Sequence, residues 1–281
     1  MPPTILPGLA MALPWLALAS AADGELVSIP IDMRQGRPRL ELTIDGGPPM
    51  PAIFDTGSIS SFASLEMVEK AGLSNDGPAQ GKMAQMGAAF QTTLKNPAVG
   101  AYQLPTMSLP VMPVPLPDIV AVFAPEIFSG KYVTLNFAAE QLELREKAEH
   151  SEPGGARYDY TPPPFEIATL PVAVAADNFN GMMDTGSDKP LLFPLALADS
   201  VPLKTPLKQL DGGVRTVHGK DPIPVFEAQI DAVVRIGPIE IKGPIVKFTA
   251  AAPRIIVGMP ILRQITITLD PEGKRIWVEK L

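Results

Sequence analysis

Cysteine is absent from the 281-residue chain. Its absence excludes disulfide scaffolds, thiol catalysis, cysteine-ligated metals and lipid anchoring through a thiol. Histidine is almost absent: His150 and His218 stand 68 positions apart (218 − 150), outside any metal-ligand spacing. Two solvated loop histidines are expected, with no metal and no cofactor. Basic charge is scarce, with 23 Lys and Arg against 30 Asp and Glu and a formal net charge of −7. Phosphate neutralisation needs clustered cations, so the composition argues against a nucleic-acid partner. No Gly-x-Ser-x-Gly elbow with a partnered histidine occurs, which leaves a serine hydrolase poorly supported. Apolar residues make up 46% of the chain, enough for one large core or two small ones.

Charge is also missing from the beginning of the chain, where Asp23 is the first charged side chain. An apolar stretch over residues 5–19 precedes it and ends in Ala19-Ser20-Ala21, small residues at the spacing of a signal-peptidase site. Pro7 and Pro14 interrupt the stretch, against a permanent membrane helix. No Lys or Arg precedes it, unlike most signals. A signal peptide over residues 1–21 is expected, giving an exported protein, periplasmic or secreted, without stable membrane insertion after cleavage. An uncleaved anchor is the alternative.

What the chain does contain is a repeat. Asp55-Thr56-Gly57-Ser58 recurs as Asp184-Thr185-Gly186-Ser187, an offset of 129 (184 − 55), each copy after two apolar residues. Near the end of each half, Ile127-Phe128 matches Ile261-Leu262, and Val133-Thr134-Leu135-Asn136 matches Ile267-Thr268-Leu269-Asp270. Leu142-Glu143-Leu144 likewise matches Ile276-Trp277-Val278, all at one offset of 134 (261 − 127). One such tetrapeptide is a weak signal; two at matched places in a repeat are a strong one.

Period-two apolar patterns predict strands at residues 26–31, 40–44 and 170–174, with a turn at Asp45-Gly46-Gly47. Ser64 is placed to cap a short helix running to Ala71, with Gly72 ending it. Pro194 suits the first turn of a matching helix in the second half. Each half is expected to close with a hairpin, turning at Ala138-Ala139-Glu140 and at Pro271-Glu272-Gly273. The Pro-rich run 105–117 reads as an edge strand or an extended wall. The expected fold is all-β: an N-terminal lobe over 22–149, a polar connection over 150–155 and a C-terminal lobe over 156–281.

Two carboxylates on matching loops of two similar lobes imply a pseudo-twofold site at which Asp55 and Asp184 share one proton. The ionised member would act as general base on a water and the protonated member would hydrogen-bond a carbonyl oxygen. Gly57 and Gly186 would let backbone amides approach the carboxylates. Thr56 and Thr185 would lock the loops together across the axis. The Ser58 and Ser187 hydroxyls would donate to the outer carboxylate oxygens and favour ionisation, giving an acidic pH optimum.

These motifs, with Ile256-Val257-Gly258 ahead of Met259-Pro260-Ile261-Leu262, resemble aspartic peptidases of the retropepsin and pepsin superfamily. The resemblance covers nearly the whole chain after the apolar stretch, and lobe size points to a fused, two-lobed bacterial type. It implies two β-barrel lobes, catalytic Asp55 and Asp184, a monomer, and a peptide or protein substrate held extended under a hairpin flap. The implied flap is residues 83–90, with Met86 and Gly87 at substrate, and its counterpart is Asp211-Gly212-Gly213-Val214-Arg215, with Gly212 and Gly213 there. The Met83 and Met86 side chains would line an adaptable pocket or fill gaps in the core. One departure is Val122-Phe123-Ala124, with alanine where the family has glycine, which predicts a strained or reshaped first loop. Two other readings stand beside this one. One is a pseudo-peptidase that binds peptides without cutting them. The other is a glycoside hydrolase, whose carboxylates would sit about 5 Å or more apart in unlike surroundings.

Overall fold

Alternating burial sets the first strands. In Arg39–Ile44 the side chains of Leu40, Leu42 and Ile44 are buried and Glu41 is exposed, as in a strand with one face on a core. Asp45 and Gly46 follow with φ of 49° and 68°. The Gly47 N–H donates to the Ile44 carbonyl at 2.9 Å, and the two left-handed residues match the twist of paired strands. Downstream, the Ser64 hydroxyl accepts from the Met67 N–H at 3.1 Å and caps the helix Leu65–Lys70, which Gly72 ends at φ 60°.

The computed structural model describes residues 26–114, 116, 118–149, 151–162, 165–214 and 222–281. The expected signal segment, His150, His218 and Arg215 lie outside them. The fold is all-β, with three α-helices among the described residues, Leu65–Lys70, Gly81–Gln85 and Met259–Leu262, each under two turns. No helix among these residues is long and apolar enough to cross a membrane.

Three sheets build the molecule. The first runs Phe90–Leu94, Met107–Met112, Phe62–Ser64, Ala121–Phe123, Met50–Phe54, Arg39–Ile44, Pro97–Val99, Tyr102–Gln103. The second runs Lys208–Gln209, Val225–Gln229, Ile245–Thr249, Leu191–Pro194, Ile255–Gly258, Asp177–Asp184, Thr169–Val174, Val233–Ile236, Ile239–Lys242. Apart from the extra strand Lys208–Gln209, the two sheets share strand order and, through their centres, strand direction. In each, the strand leading to an Asp-Thr-Gly-Ser run lies parallel to a short apolar strand, Ala121–Phe123 or Ile255–Gly258.

The third sheet takes three strands from each half: Val27–Pro30, Gln141–Glu146 and Lys131–Asn136, then Ile265–Asp270, Arg275–Lys280 and Ala156–Asp159. At its centre Thr134 faces Thr268, its own repeat counterpart, with hydroxyls 2.9 Å apart. Both hairpins turn where expected, and the turns are tied alike: the Ala139 N–H donates to Asn136 Oδ1 and the Gly273 N–H to Asp270 Oδ1. A single cluster of buried apolar residues runs through both halves, including Phe54, Phe123, Phe193 and Phe248. Each such side chain contributes about 1.5–3 kcal/mol by leaving water.

The Pro-rich run differs from expectation. Its strand Met107–Met112 is interior, between Phe90–Leu94 and Phe62–Ser64. Proline is tolerated there because the strand Phe62–Ser64 pairs only with Val111 and Met112, beyond Pro110. Pro194 ends a strand and caps a 3₁₀ turn, Leu195–Leu197, rather than starting an α-helix.

Candidate active site

Each parallel strand pair ends on an aspartate. Asp55 follows Phe54, and its N–H donates to the Phe123 carbonyl at 2.8 Å; Asp184 ends its strand opposite Gly258. Thr56 and Thr185 then cross. The Thr56 N–H donates to Thr185 Oγ1 at 3.0 Å, and the Thr185 N–H donates to Thr56 Oγ1 at 3.2 Å. The Thr56 hydroxyl donates onward to the Met183 carbonyl at 2.7 Å, and the Thr185 hydroxyl to the Phe54 carbonyl at 2.6 Å. Both threonines are buried, so four reciprocal bonds fasten one half of the chain to the other.

That clasp brings the two carboxylates into hydrogen-bond contact. Each lies against the other loop's glycine. A Cβ on Gly57 would stand 2.8 Å from Asp184 Cγ, and one on Gly186 would stand 2.7 Å from Asp55 Oδ2. Only a residue without a side chain leaves room for both carboxyl groups. The Gly57 N–H donates to Asp55 Oδ1 at 2.8 Å.

The electrostatics are unequal. Burial raises Asp184 well above the usual carboxylate range, and the neighbouring charge of Asp55 raises it further. Burial also raises Asp55, but the N–H groups of Gly57, Gly186 and Ser58 and the hydrogen bond from Asp184 pull it back. The two carboxyls therefore titrate as one coupled pair, with burial raising both.

Three features depart from the sequence reading. The serine hydroxyls do not serve the carboxylates: the Ser58 hydroxyl donates to the Ser60 carbonyl at 2.8 Å, and Ser187 Oγ accepts from the Lys189 N–H at 3.3 Å. Backbone N–H groups of Ser58 and Ser187 face the carboxylates instead. With burial raising both groups, the stated ground for an acidic optimum is gone.

Residues 83–90 do not form a hairpin. Gly81–Gln85 is a helix, and Gly87, at φ 88°, ends it: the Ala88 N–H donates to the Met83 carbonyl and the Gly87 N–H to the Ala84 carbonyl. This is the left-handed glycine of a helix C-terminus. Met83 is buried and Met86 exposed. Gly212 and Gly213 form a bulge in the arm of a hairpin, between the Leu210–Val225 contact and the Val214–Ile223 bridge. A Cβ on Gly213 would meet the Ile223 carbonyl at 2.6 Å, so this glycine serves the close approach of the two arms.

Ala124 is accommodated by reshaping. Leu191 lies opposite Val257, whereas its counterpart Phe62 lies opposite Val122 rather than Phe123. The Ala124 N–H donates to Ser61 Oγ at 2.9 Å, and the Ser61 N–H donates to Glu126 Oε1 at 2.5 Å. In the second half, Pro190 and Pro260 stand where Ser61 and Glu126 do, and a Cβ on Gly258 would run into the Lys189 carbonyl. Ala124 sits at φ −85° and ψ 164°, ordinary extended backbone, so the loop is reshaped without strain.

No protein-family model matches the chain, and no curated protein matches it in sequence. The site holds two adjoining buried carboxyl groups whose protonation is coupled. Among the described residues, no group of three or more His, Asp or Glu is placed to hold a metal ion. Ser61 and Glu126 escaped the sequence reading. Both were signalled only by matched positions at which the repeat fails.

Proposed function

We propose that the protein is an aspartic endopeptidase of the retropepsin and pepsin superfamily, with two lobes related by a pseudo-twofold axis through the dyad and the Thr134–Thr268 pair. The observation that carries this reading is the hydrogen-bond contact of Asp55 and Asp184, each walled by the other loop's glycine. In the reaction, Asp55 takes a proton from water as the oxygen attacks the peptide carbonyl carbon, and protonated Asp184 hydrogen-bonds the carbonyl oxygen. The tetrahedral intermediate collapses with C–N cleavage as a carboxyl proton passes to the leaving nitrogen. No covalent enzyme intermediate is needed. Touching carboxylates leave no room for the separated acid and base of a glycoside hydrolase. The same reading gives an exported monomer that uses no cofactor, completes its site within one chain and acts on extended peptides or proteins.

The test is incubation of the purified protein with a diverse peptide library from acidic to neutral pH, beside Asp55→Asn and Asp184→Asn. Cleavage that disappears in both variants supports the dyad. A folded parent that cuts nothing at any pH returns the site to the peptide-binding alternative. The pH–rate profile is expected to be a bell whose alkaline limb, set by the second ionisation of the coupled pair, lies above the ordinary carboxylate range.

A further inference from the structure

The loop after Asp55 is gripped at one peptide plane. The Ser58 hydroxyl donates to the Ser60 carbonyl at 2.8 Å, and the N–H of the same peptide unit, that of Ser61, donates to Glu126 Oε1 at 2.5 Å. A peptide unit is planar, so the carboxylate that fixes the N–H also fixes where the carbonyl points. Ser58 is thereby anchored, and its backbone N–H is one of those facing Asp55. The second half is built without this strut. Pro190 has no N–H, Pro260 stands where Glu126 does, and Ser187 Oγ is met by the Lys189 N–H.

The surroundings of the strut are mixed in charge. Lys82, Tyr160, Glu166 and Lys274 line one hollow with Glu126, beside Thr56 and Ser58. Lys274 pairs with Glu166 at 3.4 Å. Burial, then the charges of Asp270 and Glu126, raise the Tyr160 phenol, which stays neutral. Asp55 itself meets Asp184 and the N–H groups of Gly57, Gly186 and Ser58.

We propose that Glu126 is a positioning residue for Asp55, acting through the Ser60–Ser61 peptide and Ser58. The role rests on the reading of Asp55 and Asp184 as the peptide-cutting pair. An N–H held on Asp55 favours its ionised form. Loosening the Ser58 anchor weakens that bond, so the pair loses its first proton at higher pH. The reach of an oxygen to the Ser61 N–H does this, not the charge, since a nearby negative charge acts on Asp55 with the opposite sign.

Three variants of the full-length protein separate reach from charge. Glu126→Gln keeps the oxygen and drops the charge. Glu126→Asp keeps the charge and withdraws the oxygen by one methylene, and Glu126→Ala removes both. Glu126 is exposed, so all three keep the fold. The carboxyl-carbon signal of Asp55 is titrated by NMR, and kcat/KM is followed across pH with a cleaved peptide. Glu126→Ala and Glu126→Asp are expected to raise the first ionisation of the pair by roughly half to one pH unit, and Glu126→Gln to leave it in place. The acid limb of the pH–rate bell moves with it, so kcat/KM below that limb falls about three- to tenfold. A merely structural role would scale the profile without moving its limb. The NMR titration decides for Glu126: an ionisation that stays put in Glu126→Ala and Glu126→Asp, or that Glu126→Gln moves as far, overturns its role. Peptide turnover decides for the dyad. A moved ionisation with no cleavage by the parent supports the positioning and overturns the peptidase reading alone, and cleavage with an unmoved ionisation does the reverse. An unmoved ionisation with no cleavage overturns both.

Discussion

The Thr185 hydroxyl accepts from the Thr56 N–H and donates to the Phe54 carbonyl, so removing it orphans two buried backbone groups in the other half of the chain. Thr185→Val is therefore expected to destabilise the protein by about 2–4 kcal/mol, and Thr185→Ser to remain close to the parent, both read from urea unfolding. Asp184 has the opposite balance. Its folded pKa is raised above the ordinary 3.8 by burial and by Asp55, so its neutral form is favoured in the folded state. Stability from that group is fully present below about pH 4 and declines as pH rises towards the folded value. Asp184→Asn keeps the neutral shape and removes the decline. Its Tm is expected to exceed the parent's at pH 7, with the gap closing by about pH 3; a constant gap across pH would refute the sign. The aspartates and glycines were legible as a repeated tetrapeptide. The inequality between Asp55 and Asp184 was not, because it depends on which N–H groups the fold turns towards each carboxylate.

Short elements were harder to read than long ones. The strand Arg39–Ile44 alternates along its length, Thr169–Val174 does so from Leu170 onward, and both are where the pattern placed them. The helix Gly81–Gln85 has five residues, too few for a 3.6-residue period to register, and its closing Gly87 reads equally as a hairpin tip. The loop around Ala124 shows how one substitution is absorbed by its neighbours. Ser61 and Glu126 supply an acceptor chain that Pro190 and Pro260 do not need, since Pro190 has no N–H to satisfy. Ala124→Gly is accordingly expected to lower stability by roughly 0.5–1 kcal/mol and to leave kcat unimproved, as measured by thermal unfolding and peptide turnover. A rise in kcat would show that Ala124 does strain the loop.

The two halves are joined by the six-stranded sheet as well as by the threonine clasp. Lys147, from the first half, reaches Asp270 Oδ1 in the second at 2.9 Å, where the carboxylate is buried. Lys147→Met leaves that charge without its cation and is expected to cost about 2–3 kcal/mol, less than a fully buried pair because Lys147 is partly exposed. Because the sheet and the core are shared, calorimetry is expected to show the whole molecule melting in one transition that this variant shifts intact. Two separated transitions would contradict a common core.

By itself the sequence determined the all-β class, the halves and their repeat, both closing hairpins and the paired Asp-Thr-Gly-Ser runs. All of these are written in residue type and short-range periodicity. Only the tertiary structure decided that the carboxylates meet, that backbone N–H groups rather than serine hydroxyls face them, and that burial raises both. Those features arise where segments more than a hundred residues apart meet, and burial and hydrogen-bond partners there are set by packing that no local pattern encodes.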